Sequence, residues 1–317
     1  MAFTFTDLNK LNISGLSEVI SLTIGEAGEI AKSTTVLNGI ENNTPVATFE
    51  MSDKALELSS GCVAPTSKNA KDKVKYYTHA PIQLPVQVCM QDIWGKMLAA
   101  GVKLSDDFSE TELAGFLQAQ ILKVAEADLL RLAWLDGAVK EDATGYGIMK
   151  RGGFIKQFTD ASGVMGALEL TSAGVLAAMR AAIDGQRSDQ LADSEFFVTP
   201  NVMRLYKNLL QDRDNSAAQS DIVDGRPVYY FEGYKINELS HVGNAAKADG
   251  TYDAFIAFTP KSNLQIAMES SDIAIAPFLQ DAVTRKYYST TVFAADAMLV
   301  VPEFLQLHVH TAAVVGG

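Results

Sequence analysis

Cysteine, histidine and cationic residues are all in short supply in this sequence, and each shortage closes off a class of function. Of 317 residues only Cys62 and Cys89 are cysteines and only four are histidines. No Cys-x-x-Cys pair occurs and neither cysteine has a histidine at ligand spacing, so neither a zinc site nor a disulfide scaffold is expected. The two thiols read as free and buried, although spacing alone leaves a single bridge between them open. Lysine and arginine number 26 against 38 acidic residues, a formal net charge of -12. A protein that grips nucleic acid needs clustered cations to displace counterions, and this chain on average repels phosphates. Its densest basic group, Lys68, Lys71, Lys73 and Lys75, has no aromatic residue between the lysines and reads as a solvated polar loop or a subunit contact. No apolar run approaches the roughly 18 residues that a membrane-spanning helix requires. The opening Met-Ala-Phe-Thr-Phe-Thr-Asp-Leu lacks the basic and apolar regions of a secretory signal. Gly-x-Ser-x-Gly, His-Glu-x-x-His, calcium-loop and Walker sequences are missing too, which leaves little for an enzyme to work with.

What remains is an apolar fraction of 48%, enough to fill a sizeable core as one large domain or two modest ones. Residues 1–41 mix small apolar groups with Ser, Thr, Asn and Gly and read as an extended arm with a short helix near 16–22. Such an arm has little surface to bury within itself, so if ordered it must lie on something else. From Thr44 the pattern changes to period two. Ala47, Phe49 and Met51 alternate with Val46, Thr48 and Glu50, and later Ile82, Leu84, Val86 and Val88 alternate with Gln83, Pro85, Gln87 and Cys89,. The two runs are expected to form one long hairpin or flap, with a loop-rich tip at 59–70, another extended piece at 74–78, and Pro85 marking an edge strand. A two-stranded ribbon is marginal alone in water. Its apolar face, Phe49, Met51, Ile82, Leu84, Val86 and Val88, is therefore the expected contact with another subunit.

A helical segment is expected over 92–100, followed by the strongest periodicity in the chain. Ser109 and Glu112 form a capping box, and Leu113, Phe116, Leu117, Ile121, Val124, Leu129, Leu132 and Leu135 keep helical spacing up to Gly137, a C′ residue,. A helix over 110–136 would span on the order of 40 Å. Residues 146–158 read as short strands between glycine turns. A second helix is expected over 172–183, stopping at Gly185, then a buried strand at 196–198 running into Thr199-Pro200, a helix start. Strands follow at 228–231 and 234–237 after the Asp224-Gly225 turn, then strand, turn and helix again from Phe255 through Thr259-Pro260 to Lys261 onward. Two long strands, 283–293 and 298–309, joined at Ala294-Ala295-Asp296, complete an α+β pattern.

The candidate chemical groups are sparse. His308 and His310 share one face of a strand with Gln306, but no third ligand stands at a convincing spacing, so they read as a polar sheet face and no metal is assigned. Glu269 with Asp272, and Glu26 with Glu29, read as solvated carboxylates. Gly145, Gly147, Gly152 and Gly153 lack the following Lys-Ser or Lys-Thr of a phosphate cradle and read as turns.

The order of elements, an arm, a flap, a spine helix and a mixed domain ending in long strands, resembles the major capsid proteins of tailed bacteriophages, the Hong Kong 97 fold. Local phrases carry the same likeness: Phe-Phe-Val-Thr-Pro-Asn-Val-Met-Arg-Leu-Tyr at 196–206, Tyr-Phe-Glu-Gly-Tyr-Lys-Ile at 230–236, and Phe-Thr-Pro-Lys-Ser-Asn-Leu at 258–264. The resemblance implies an N-terminal arm at 1–41, an extended loop at 42–91 lying on a neighbouring subunit, and a peripheral domain at 92–170 with its spine helix. It further implies an axial domain at 171–275 and a return to the peripheral domain at 276–317. By the same resemblance the chain is not an enzyme, takes no cofactor, and assembles with itself as pentamers and hexamers into an icosahedral head in the host cytoplasm. Its other partners would be a portal, packaged double-stranded DNA held without sequence-specific contacts, and no membrane. Because the arm starts directly, the expectation is no maturation cleavage and a separate scaffolding protein. An encapsulin, a bacterial compartment shell of the same fold, is the near alternative, and an unfamiliar α+β enzyme the remote one.

Overall fold

The computed structural model describes residues 29–51, 70–89, 124–211, 220–223, 226–275, 279–280 and 286–311. The expected helices near 16–22 and 92–100, and the Ser109–Glu112 start of the long helix, lie outside the described residues. Helix α1 (Glu29–Ser33) leads into strand β1 (Thr35–Asn38), and then come β2 (Pro45–Met51), β3 (Ala70–Tyr76) and β4 (Ala80–Cys89). After α2 (residues 124–135) and α3 (Phe154–Asp160) follow β5 (Gly166–Ala167), α4 (Ser172–Gly185), β6 (Ser194–Val198) and α5 (Pro200–Gln211). The remaining elements are β7 (Ser220–Val223), β8 (Arg226–Phe231), β9 (Tyr234–Glu238), α6 (Ser240–Asp249), β10 (Ala254–Pro260), β11 (Leu264–Ile275), β12 (Leu279–Gln280), β13 (Lys286–Leu299) and β14 (Gln306–His310). The class is α+β, as the pattern of elements requires.

Two sheets and a ribbon organise these elements. A seven-stranded sheet runs β5-β14-β10-β6-β9-β8-β7. At its centre β10, Ala-Phe-Ile-Ala-Phe-Thr-Pro, shows no alternation because both its faces are covered,. Ile256 and Phe258 pack with Val175 and Met179 of α4 and Val202 and Tyr206 of α5, while Phe255 and Ala257 face a second core with Trp134 and Phe154. Trp134, fully buried, stacks on Phe255 and meets Phe154 edge-on, each ring centroid 5.3 Å away. The same core takes Leu129, Leu132 and Leu135, the expected stripe of the long helix, and that helix gives way to Gly137 at φ +77° as its C′ residue,. The β8–β9 hairpin turns on Glu232 (φ 52°) and Gly233 (φ 90°), the two left-handed positions of a type I′ turn,.

The other sheet is β4-β13-β11-β1, with β12 on the outer end of β13. Here four expectations change. First, β4 does not pair with β2: it lies antiparallel on β13, and β2 pairs with β3. Alternation identifies a strand but not its partner, and Ile82 finds its cover opposite Phe293 of β13. Pro85 does sit on an edge strand, since β4 pairs only with β13 among the described residues,. Second, 154–160 is a helix rather than a strand, because Phe154, Ile155 and Phe158 recur at helical spacing and all reach the core,. Third, Ala294-Ala295-Asp296 lies within one long strand, β13. Asp296 is fully buried instead of turning in solvent, and the chain breaks at Pro302. Fourth, the helix expected from Lys261 onward is a single short turn (Lys261–Asn263) leading into strand β11. The end of the arm lies on its own subunit, with Ile30 fully buried and β1 parallel to β11.

Candidate interaction surface

The ribbon of β2 and β3 pairs with no other strand among the described residues. Its register sets Pro45, Ala47, Phe49 and Met51 opposite Tyr76, Val74, Asp72 and Ala70, and Val46, Thr48 and Glu50 opposite Lys75, Lys73 and Lys71. Directly opposed residues share a face. One set of positions is thus apolar apart from Asp72, and the other carries all three lysines. The lysine face turns toward the body at the ribbon's root. Lys75 Nζ donates to the Leu299 carbonyl at 2.7 Å, Lys73 meets Glu303 at 3.1 Å, and Val46 packs against the small core of Tyr77, Ala267 and Met298. The apolar face turns to solvent: Val74 is 43% exposed and Tyr76 49%, two of the four large exposed hydrophobic residues among those described.

The electrostatics of this root are those of charges partly withdrawn from water. Burial, with Arg151 nearby, pulls the Lys75 ammonium below its usual range,. Burial alone would lift the Glu303 carboxyl, yet its own backbone amide and Lys73 hold it below the ordinary carboxylate value. Between ribbon and body lies a cleft of about 610 Å³ lined by Thr48, Lys73, Lys75, Arg187, Glu303 and Phe304 among others. At the joint of ribbon and body Asp296 accepts a hydrogen bond from the Thr78 amide at 2.8 Å, and burial raises its carboxyl. Burial, helped by Asp296, pushes the Tyr77 phenol up to about 12.

The expected contact residues divide. Phe49 and Met51 belong to the ribbon, at positions on the face with Val74 and Tyr76. Ile82, only 9% exposed, is core of its own chain and leaves the contact set, while Leu84 and Val86 on the same face of β4 are half-covered. Val88 lies farther along β4, opposite Tyr287. Sequence reasoning reads 74–78 as an extended piece but leaves Val74 and Tyr76, which alternate with Lys73 and Lys75, out of the contact face. The alternation itself was the available signal. Lys68 and Cys62 lie outside the described residues, and Cys89 ends β4.

The other candidates resolve into sheet and helix contacts. His310 Nδ1 lies 2.6 Å from the Asp253 carboxylate, and His308 packs over Gly166, its imidazole held below the usual range by burial. Glu29 accepts from the Ser240 amide at the start of α6, and burial raises its carboxyl despite the nearby His241. Glu269 is half-buried in β11, which also holds the backbone of Asp272, and Glu26 lies outside the described residues. No group of three or more His, Cys, Asp or Glu side chains among the described residues could hold a metal ion.

No family model matches the sequence, and no curated protein matches it. Solved structures do match. A chain of the satellite phage P4 procapsid including size determination (Sid) protein is 10% identical, with a TM-score of 0.56 over 92% of this chain and 98% of that one. A Gordonia phage Cozz chain is 12% identical, with a TM-score of 0.55 over 90% and 86%. A chain of the bacteriophage PhiM1 mature capsid is 12% identical, with a TM-score of 0.51 over 89% and 86%. At such identities what is shared is the path of the backbone over almost the whole of each chain. That shared path is the one which the order of elements and the three local phrases resemble: this chain has the fold of a phage major capsid protein.

Proposed function

We propose that the chain is the structural shell subunit of a tailed-phage head, closing as pentamers and hexamers around double-stranded DNA. The observation that carries this reading is the ribbon, an element whose lysine face is anchored to its own body while its apolar face, with Val74 and Tyr76, stays in water. A monomer gains nothing from such a surface, whereas a neighbouring copy can cover it. The arm at 1–41, the extended loop at 42–91 and the edges of the peripheral (92–170 and 276–317) and axial (171–275) domains would each add a modest contact. Engaged together, such contacts sum to a stable lattice. A net charge of -12 suits a wall that must not trap its packaged genome,. A separate scaffolding protein and a portal complete the assembly.

Electron microscopy of the purified protein tests this directly. Closed particles of uniform diameter are expected, and only monomers or dimers under all assembly conditions would sink the reading. Removing the whole of 46–89 is an unsuitable deletion, because it would strip β4 from β13. Since Pro45 and Tyr76 stand opposite each other, replacing 46–75 with a two-residue Asn-Gly turn removes the ribbon and leaves both sheets intact. This variant should stay folded and form no closed shells. Particles from the natural source that hold an enzyme rather than DNA would favour the encapsulin alternative.

A further inference from the structure

We infer that Arg151 is a strut that fixes the direction in which the ribbon leaves the subunit, and with it the curvature of the shell. The inference rests on the shell reading for its consequence but on the joint itself for its geometry.

Two short crossings, 39–44 and 77–79, tie the ribbon to the body. Backbone bonds hold them to each other and to β11: Asn43 N to Tyr77 O at 2.9 Å, Tyr77 N to Thr44 O at 3.1 Å, and Gly39 N to Met268 O at 2.9 Å. The Tyr77 hydroxyl reaches Gln265, and the His79 amide donates to Asn42 Oδ1 at 3.1 Å. These contacts attach the ribbon, and farther out Lys75 on the Leu299 carbonyl and Lys73 on Glu303 hold its lysine face to the body. At the joint itself the brace is Arg151. Its guanidinium donates to the Tyr76 carbonyl and, at 3.0 and 3.3 Å, to Thr78 Oγ1, while its Nε lies 3.7 Å from the buried Asp296 carboxylate.

The far end of the strut is equally fixed. Arg151 stands in the loop that follows α2, and Asp136, buried at the end of that helix, accepts from the Gly147 amide and from the Met149 amide at 2.6 Å. Its carbonyl takes the Gly153 amide at 2.7 Å. A continuous path therefore runs from α2 through Asp136 and the 147–153 loop into the guanidinium and on to the last rung of the ribbon. A planar donor fork that grips two points of one segment sets an angle, which a flexible ammonium at the same place would not. Arg151 is 27% exposed and belongs to none of the apolar clusters, so its loss should loosen the joint and leave the cores in place.

The test compares wild type with Arg151→Met and Thr78→Val, the second removing only the hydroxyl that the guanidinium holds. In both variants the melting temperature and the exchange of β11 and β13 amides should stay near wild type. Amides at 76–79 should exchange about tenfold faster, the effect of one lost charged hydrogen bond. Particles should lose their single diameter, giving mixed sizes or open sheets. Should Arg151→Met fail to fold, Arg151→Lys and Thr78→Val carry the comparison. Unchanged exchange at 76–79 in both variants would overturn the strut, and a single wild-type diameter despite a loosened joint would overturn its role in curvature. Absence of particles from the wild type would remove the shell reading and the curvature claim with it, while exchange at 76–79 still judges the joint.

Discussion

Consider the double substitution Val74→Glu, Tyr76→Glu on the outward face of the ribbon. Complete burial of a large apolar side chain stabilises by roughly 1.5–3 kcal/mol. With Val74 still 43% and Tyr76 49% exposed in the isolated chain, nearly half of that remains for a neighbour to recover, about 1 kcal/mol each. The pair is thus worth about 2 kcal/mol per contact, or roughly 30-fold in a two-body equilibrium. Glutamate adds the penalty of desolvating a charge at the contact, so the true loss should exceed this figure. Within the isolated subunit the same changes touch no core residue, and surface substitutions of this kind stay near 0.5 kcal/mol apart from a modest loss of strand preference. Light scattering against protein concentration, paired with a thermal melt of the unassembled protein, separates the two effects. The assembly threshold should rise at least about 30-fold while the melt barely moves. An unchanged threshold with unchanged particles would refute the idea that this face is covered by another copy.

Three further outcomes follow from the packing. Trp134→Ala removes the ring between Phe255 and Phe154 at the centre of the larger core and should cost about 3–5 kcal/mol in chemical denaturation. Asp296→Asn removes a buried carboxyl whose proton is held more tightly in the folded chain than in the unfolded one, because burial raises it from 3.8. That linkage stabilises fully below the unfolded value and is lost as pH rises through the folded one. Asparagine can still accept from the Thr78 amide, so the variant should be at least as stable as wild type at pH 7 with a flatter profile in acid. A larger deficit at pH 7 than at pH 4 would contradict this. Glu232→Asn places the preferred residue at the first left-handed position of the β8–β9 turn, φ 52°. It should raise stability by about 0.5 kcal/mol in a denaturant titration, since the exposed pair with Arg180 that it removes is worth little,.

The residues that were legible in the sequence are those whose partners lie close along the chain or whose burial is complete. Leu129, Leu132 and Leu135 announced the long helix and Gly137 its end. Phe196, Phe197 and Val198 announced a buried strand, Phe255 to Phe258 another strand, and Thr199-Pro200 a helix start. What stayed hidden was pairing across long separations. Nothing in Ile82 or Val86 names β13, some two hundred residues later, as their neighbour rather than β2. Asp296 misled for a related reason: an aspartate among alanines looks like a turn until Arg151 and the Thr78 amide, both distant in sequence, are seen to hold it inside a strand.

The ribbon was only half legible, and the missing half decides function. Alternation in 45–51 fixes which residues share a face but not which face meets water, because a slip of one residue exchanges the two. The structure removes that ambiguity with contacts from outside the ribbon. Lys75 bonds to the Leu299 carbonyl, Lys73 meets Glu303, and Val46 packs on Tyr77 and Met298. With Lys73 and Lys75 held to the body the apolar positions have only one direction left. Two lysines of a group that reads, in an acidic chain, as solvated loop therefore act as the device that turns Val74 and Tyr76 outward, toward whatever comes to cover them.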